Sequence, residues 1–320
     1  MSFLRWETGT DWDSYVYVFN RSTEWFGSSE FEWGFTRINE IVKILFDDYT
    51  ILLLVLATIL FYVQTKSISE LSIYPITTLF VLWSTSFGNV FFIRQSIATM
   101  ILFYSVRYIQ GGNFIRFLLA VFVAYLFHRS SLIFLLGWFI YRMDIKVWVY
   151  IIGIVFSMGL TVVVAKLLTG ISGLLGGVFL SKIEIYTSID DSTFGSQSSL
   201  AQIVARGFAN KIFIFGLLLI NFRKNKHLFP ELKGYLNLYW LGILIYFSTI
   251  SISIAFVRFS FAFDILSILL IPIFLGSIKS VMPKFTTFVL VLCYCAARMY
   301  ISITGSYYEM FVPFKTVFFK

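Results

Sequence analysis

Long apolar runs separated by short polar connections organise this sequence. The runs centre on Ile51–Thr65, Ile73–Asn89, Phe91–Ile109, Phe114–Phe127, Ser131–Tyr141, Val147–Leu168, Gly207–Phe222, Leu236–Phe256, Phe259–Ile278 and Phe285–Ile303. A helix that crosses a bilayer needs roughly 20 predominantly apolar residues, somewhat fewer where it is short. The two runs on either side of His128-Arg129 are short and read together as one broken pair, so nine or ten spans are expected. A membrane barrel would show short alternating segments instead of continuous apolar runs. The expectation is therefore all-α: a polytopic transmembrane helical bundle with external amphipathic and loop elements.

The charges orient that bundle. Arg107–Arg116, Tyr141–Lys146, Arg223-Lys224-Asn225-Lys226 and Lys279–Lys284 are basic connections, and basic connections stay in the cytoplasm. Alternate connections then lie outside. The resulting division is an external segment 1–49, transmembrane helices 50–168, an external loop 169–206 whose glycines suit a re-entrant turn or close helix packing, transmembrane helices 207–303 and an external tail 304–320. The loop opens on Gly170, Gly173, Gly176 and Gly177 and turns polar over Ser188–Ser199.

Segment 1–49 is unusual. It holds nine acids (Glu7, Asp11, Asp13, Glu24, Glu30, Glu32, Glu40, Asp47, Asp48) against four bases, and no apolar leader stands before it. The expectation is that a first transmembrane helix precedes this string in the full protein. Within the segment Phe31, Phe35, Ile38, Val42 and Leu45 recur at three- and four-residue steps, with Glu32, Thr36, Asn39, Glu40 and Lys43 opposite. That spacing predicts an amphipathic helix along the outer membrane surface.

Composition agrees: 58% of residues are hydrophobic, 13% are charged and mean hydropathy is +0.84, where a soluble chain carries roughly 25% charged residues. The net charge of +8 follows from the basic connections, and nucleic acid is not an expected partner. Cys293 and Cys295, two apart in one apolar run, point in different directions on a helix and suit neither a disulfide nor a metal site. Neither a metal nor a cofactor is expected.

The candidate chemistry lies at the outer helix ends. Arg94, Arg129, Arg206, Arg258 and Arg298 gather there, on the side that the charge bias should deplete of bases. Single arginines at helix ends snorkel to the interface. Several together suit a phosphate-bearing ligand, because the planar guanidinium fork pairs two oxygens at once. Gln95 beside Arg94 adds a donor, and Asp264 is a costly acid inside an apolar run. Asp11 and Asp13 flank Trp12, a spacing that serves as a turn or cap, as a metal site in sugar transferases, or as a general base. Glu32 and His128 are further candidates for the base; a corner histidine also serves as a structural hydrogen-bonding residue.

Several strings, in order along the chain, resemble the EpsG-like, Wzy-type polysaccharide polymerases. These are Arg5-Trp6-Glu7-Thr8-Gly9-Thr10-Asp11-Trp12-Asp13-Ser14-Tyr15, Glu32-Trp33-Gly34-Phe35, Phe92-Ile93-Arg94-Gln95-Ser96-Ile97-Ala98 and Ala124-Tyr125-Leu126-Phe127-His128-Arg129-Ser130-Ser131. Weaker echoes are Arg258-Phe259 with Pro272, and Tyr307 with Pro313-Phe314. The resemblance implies an inner-membrane enzyme joining O-antigen or exopolysaccharide repeat units carried on undecaprenyl diphosphate, at the outer face. It implies a chain-length regulator as a partner, beside the lipid bilayer and the lipid-linked oligosaccharides. Asp11, His128 and Arg94 are then the expected catalytic residues. Arg5, Asp13, Glu32, Gln95, Arg129, Arg206 and Arg258 are expected to bind substrate. A lipid-linked-sugar flippase and a membrane acyltransferase that modifies sugars are the rival readings.

Overall fold

A computed structural model describes residues 3–9, 11–23, 31–86, 92–160, 204–205, 207–225, 229–250, 254–304, 308, 312 and 314–318. The glycine-bearing stretch from 169 to 203 lies outside the described residues, and so does Arg206. In chain order the α-helices are α1 (Trp12–Asn20), α2 (Trp33–Phe46), α3 (Tyr49–Leu71), α4 (Pro75–Ser86), α5 (Ile93–Gln110), α6 (Phe114–Tyr125), α7 (Leu136–Ile140) and α8 (Val147–Gly159). They continue as α9 (Phe213–Asn225), α10 (Leu232–Thr249), α11 (Phe261–Asp264), α12 (Ser267–Ser277) and α13 (Val281–Thr304). Tight 3₁₀ segments cover Arg129–Leu135 and Ile254–Ser260, and a π-helix covers Phe208–Ile212. The fold is helical, as expected. Three stretches, Tyr49–Leu71, Phe256–Ser277 and Val281–Thr304, are long and apolar enough to cross a membrane, and shorter apolar helices accompany them.

Two units divide the chain: Met1–Leu135 with Ile278–Lys320, and Leu136–Ser277. In the first, α5 packs between α3 and α6. Asp48 starts α3 by accepting the Thr50 amide at 2.6 Å, and Asn113 starts α6 by accepting the Arg116 amide at 3.0 Å; such caps satisfy amides that a helix start leaves unbonded. An ion pair between Glu70 and Arg107 ties the far ends of α3 and α5 together. At the opposite end, the Gly34 and Phe35 amides donate to the Leu126 carbonyl at 2.9 and 3.3 Å, docking α2 on the corner after α6. A Cβ on Gly34 would stand 2.8 Å from that oxygen, so only glycine permits the approach.

The face of α2 differs from the expected one. Phe35 and Val42 are buried, but so are Asn39 and Glu40, while Ile41, Ile44, Leu45 and Phe46 are exposed. Asn39 turns its amide back to the Phe35 carbonyl at 2.7 Å, and Glu40 pairs with Arg37 at 2.5 Å. Local bonding of this kind lets two polar side chains face the protein, and the apolar end of the helix is left exposed.

The N-terminal segment also pairs with the tail. The Trp6 amide donates to the Lys315 carbonyl at 3.0 Å and the Val317 amide to the Leu4 carbonyl at 2.9 Å, and Lys315 meets Glu7 at 3.1 Å. In α13 the surface is largely exposed; Cys293 is exposed and Cys295 buried, in keeping with their two-residue spacing.

The second unit is built on α10, whose sides are almost all buried; a helix apolar all round belongs in a core. The buried Asn237 closes the turn between α7 and α8, donating to Ile140, Tyr141 and Met143 carbonyls at 2.9, 3.3 and 2.8 Å. Its carbonyl accepts from the Tyr150 hydroxyl. Lys233 pairs with Asp144 at 2.5 Å beside that turn.

The topology is tested by an impermeant thiol reagent on a chain whose two cysteines are replaced by serine. Asn20→Cys and Phe318→Cys are expected to react in intact spheroplasts. Ser69→Cys, at the Glu70–Arg107 end of α3, is expected to react only after permeabilisation. Reaction of Ser69→Cys alone in intact cells would invert the assignment.

Candidate functional site

Arg5 is 1% exposed although it lies in the polar N-terminal segment. Its guanidinium lies 5.9 Å from the centre of the Trp12 ring, which in turn meets Trp6 and Tyr49 edge to face at 5.6 and 5.0 Å. Burial pulls its pKa down, while Tyr49, Tyr15 and Asp11 pull it up. An arginine stays protonated in a protein, so the segment is folded around a buried positive charge.

Asp11 stands at the N-cap position of α1, yet its side chain caps no amide. Its Oδ2 instead accepts from the Tyr15 hydroxyl at 3.3 Å, one turn along. The same hydroxyl accepts from Arg94 Nε at 3.1 Å. Arg94 Nη1 donates to Glu32 Oε2 at 2.6 Å, and the other Glu32 oxygen accepts the Arg129 amide at 3.3 Å. One chain of bonds thus joins Asp11, Tyr15, Arg94, Glu32 and the corner at Arg129. Burial pushes the Tyr15 phenol up, the charge of Arg94 opposing it; the phenol therefore remains a donor to Asp11.

Aromatic rings complete the setting of Arg94. Its guanidinium carbon lies 4.1 Å from the centre of Phe31, 5.3 Å from Tyr15 and 5.5 Å from Phe35. Those rings pack on one another at 5.4–5.7 Å. The Arg94 and Glu32 side chains keep 18% and 11% exposure. Among the described residues, two of the five guanidinium donors are committed, to Tyr15 and Glu32.

The other expected site residues fall in several places. Asp13 is exposed in the first turn of α1. Gln95 follows Arg94 but is turned about 100° round the helix and is buried. The Nδ1 of His128 lies 2.7 Å from Ser130 Oγ and accepts the Ser130 amide at 3.3 Å, which leaves the neutral ring its proton on Nε2. Arg129 is exposed, and its amide serves Glu32. Arg298 donates to the Thr85 carbonyl at 3.3 Å. Arg258 belongs to the second unit, where it lies in the 3₁₀ segment Ile254–Ser260. Asp264 there pairs with Lys211 and accepts from Ser260 at 2.7 Å. Among the described residues, no three His, Cys, Asp or Glu side chains are close enough to hold a metal ion.

Sequence reasoning gave Tyr15 no role and missed Lys211. For Tyr15 the signal was its four-residue spacing from Asp11, which places the two side chains on one helix face. For Lys211 it was a lone base in one apolar run facing a lone acid in another; ionisable groups inside membrane segments pair.

Removing Glu32 leaves the largely buried Arg94 charge without its carboxylate. Glu32→Ala is expected to cost roughly 2–4 kcal/mol, discounted for partial exposure, and Glu32→Gln less, since the amide still accepts. Thermal melting of the purified protein in detergent reads both. A melting temperature unchanged in Glu32→Ala would remove this pair from the framework.

No curated protein and no solved structure matches the chain. One family model does, over residues 1–316, and it spans the Asp11–Arg94 centre, the His128 corner and both units. The chain belongs to the EpsG family of exopolysaccharide and O-antigen polymerase-like membrane proteins.

Proposed function

We propose that this protein polymerises oligosaccharide repeat units carried on undecaprenyl diphosphate at the outer face of the bacterial inner membrane. The observation that carries the reading is Arg94: a guanidinium pinned by Glu32 and Tyr15 and partly open to solvent, at one end of the first unit. A charged group held in advance and aimed at developing negative charge lowers a barrier without reorganising during the reaction.

In the step proposed, an acceptor sugar hydroxyl attacks the anomeric carbon of the growing chain. The bond from that carbon to the diphosphate oxygen breaks, and the lipid diphosphate leaves with the bonding electrons. Arg94 binds the leaving diphosphate. The hydroxyl proton passes to Asp11, whose carboxylate Tyr15 holds in place. Arg5 is buried beside Asp11, and the exposed Arg129 adds positive charge at the corner that Glu32 holds. The exposed apolar end of α2 suits the acyl boundary where the polyprenyl tail lies.

The test is surface polysaccharide length in a strain lacking its own copy. Wild type gives a ladder of long chains, and a dead enzyme leaves one repeat unit. Asp11→Asn keeps the shape and removes the base, so a loss on the order of a hundredfold or more is expected. Arg94→Lys keeps the charge but loses the two-point fork, and impaired elongation is expected. A full ladder from Asp11→Asn at normal protein level moves the base to Glu32 or His128. Loss of activity on His128 substitution, with Asp11 dispensable, would favour the acyltransferase instead.

A further inference from the structure

Arg298 lies in α13, an apolar helix that packs along α4 and is largely exposed. It stands six residues before the end of that helix at Thr304, about 9 Å along the axis. The basic connection Lys279–Lys284 is at the other end. The side chain is half-buried, and its Nη2 donates to the Thr85 carbonyl at 3.3 Å. Among the described residues its Nε is buried without a hydrogen-bond partner, while Nη1 makes no bond and reaches the surface. No carboxylate of the described residues pairs with it, whereas Arg94 has Glu32 and Arg107 has Glu70.

A charge in an apolar helix is costly, and such groups pair or serve a function. Simple snorkelling would carry the head past the helix end into water. Here the Thr85 carbonyl holds it at the seam of two helices, with Nε withdrawn from water. Its place follows from the connections. Glu70 and Arg107 join the end of α3 to the end of α5, and α4 starts four residues after α3. The helix α4 therefore runs back toward the start of α5. Thr85 is near the end of α4 and Arg94 at the start of α5, so Arg298 and Arg94 stand toward the same end of the unit. The tail beyond α13 agrees, since Lys315 accepts the Trp6 amide beside the Asp11 segment.

The reaction itself calls for a second anion site. Two lipid carriers take part: the diphosphate of the growing chain leaves, and the acceptor unit keeps its own. Arg94 serves the first. Arg298, at a seam beside an exposed apolar helix, is open to a ligand that arrives within the bilayer. Such a ligand lays its tail along α13 and brings its phosphate to the guanidinium, whose open donors suit phosphate oxygens. We propose that Arg298 holds the diphosphate of the acceptor's lipid carrier, in a second site at the lipid-facing edge of the first unit. This rests on the polymerase reading and adds where the acceptor is held. With no carboxylate and no ring fixing its guanidinium in advance, it is the weaker of the two sites. That suits its place in the cycle, because after transfer the lengthened chain rides on this carrier and must move on to Arg94.

The test counts lipids on the full chain by native mass spectrometry as undecaprenyl diphosphate is added. Wild type is expected to take up two, the second more weakly. Arg298→Gln keeps a donor for the Thr85 carbonyl and removes the charge. Its second lipid is expected to bind about tenfold or more weakly, the scale of one hydrogen bond to a charged group, with the first unchanged. Arg298→Lys keeps the charge without the fork, and a smaller loss is expected. Arg94→Ala is expected to lose the tighter lipid and keep the weaker one. A second lipid held equally by wild type and by both Arg298 variants, all melting normally, would overturn the proposal. So would displacement of that lipid by excess phosphatidylglycerol, which would make Arg298 a bilayer anchor. A single lipid on wild type that Arg94→Ala abolishes would also overturn it, while leaving the polymerase reading standing. Two lipids held undiminished by Arg94→Ala would count against the polymerase reading itself, and against the proposal with it.

Discussion

A guanidinium cannot be moved away from water without partners, and one end of the first unit is built around satisfying Arg94. An unpaired ion carries a desolvation penalty of several kcal/mol. Glu32 supplies the opposing charge at 2.6 Å, Tyr15 the oxygen for Nε, and Phe31 the face of a ring at 4.1 Å. Contacts between a cation and a ring add on the order of 0.5–2 kcal/mol each, the larger values where water is excluded. Those three partners come from α1, from the start of α2 and from just before it, so satisfying one side chain on α5 holds the polar segment onto the bundle.

The rest of that end follows from the same constraint. Glu32 reaches Arg94 only because α2 starts against the Leu126 carbonyl, and that approach depends on Gly34. The second Glu32 oxygen then accepts the Arg129 amide, tying the corner after α6 into the network. On the other flank the buried Arg5 and its aromatic neighbours hold Asp11 and Tyr15, and the bridge to Thr316 closes the tail over the segment. Three arginines on this end therefore differ: Arg5 organises the fold, Arg94 offers donors to solvent, and Arg129 contributes its backbone while its side chain stays exposed.

Much of this was legible in the sequence because membrane helices leave a strong apolar signal and charges in their ends stand out against it. Arg94, Glu32 and Asp11 were singled out, and all three enter one bonded chain. The face of α2 was misread, since alternation counts Asn39 and Glu40 as outward, whereas local partners at Phe35 and Arg37 let both turn inward. Tyr15 went unassigned because a phenol in an aromatic-rich chain looks like packing until its hydroxyl is seen between Asp11 and Arg94. Lys211 was missed for a related reason: its partner Asp264 is 53 residues away on another element, and only the fold brings them together.

The central claim is that Arg94 binds the diphosphate of the lipid carrier. The direct measurement is equilibrium binding of undecaprenyl diphosphate, without sugar, to the full chain in nanodiscs, comparing wild type with Arg94→Ala. The account predicts a Kd raised at least about tenfold, since charged hydrogen bonds to phosphate oxygens are lost. An unchanged Kd in an Arg94→Ala protein that melts normally would contradict it.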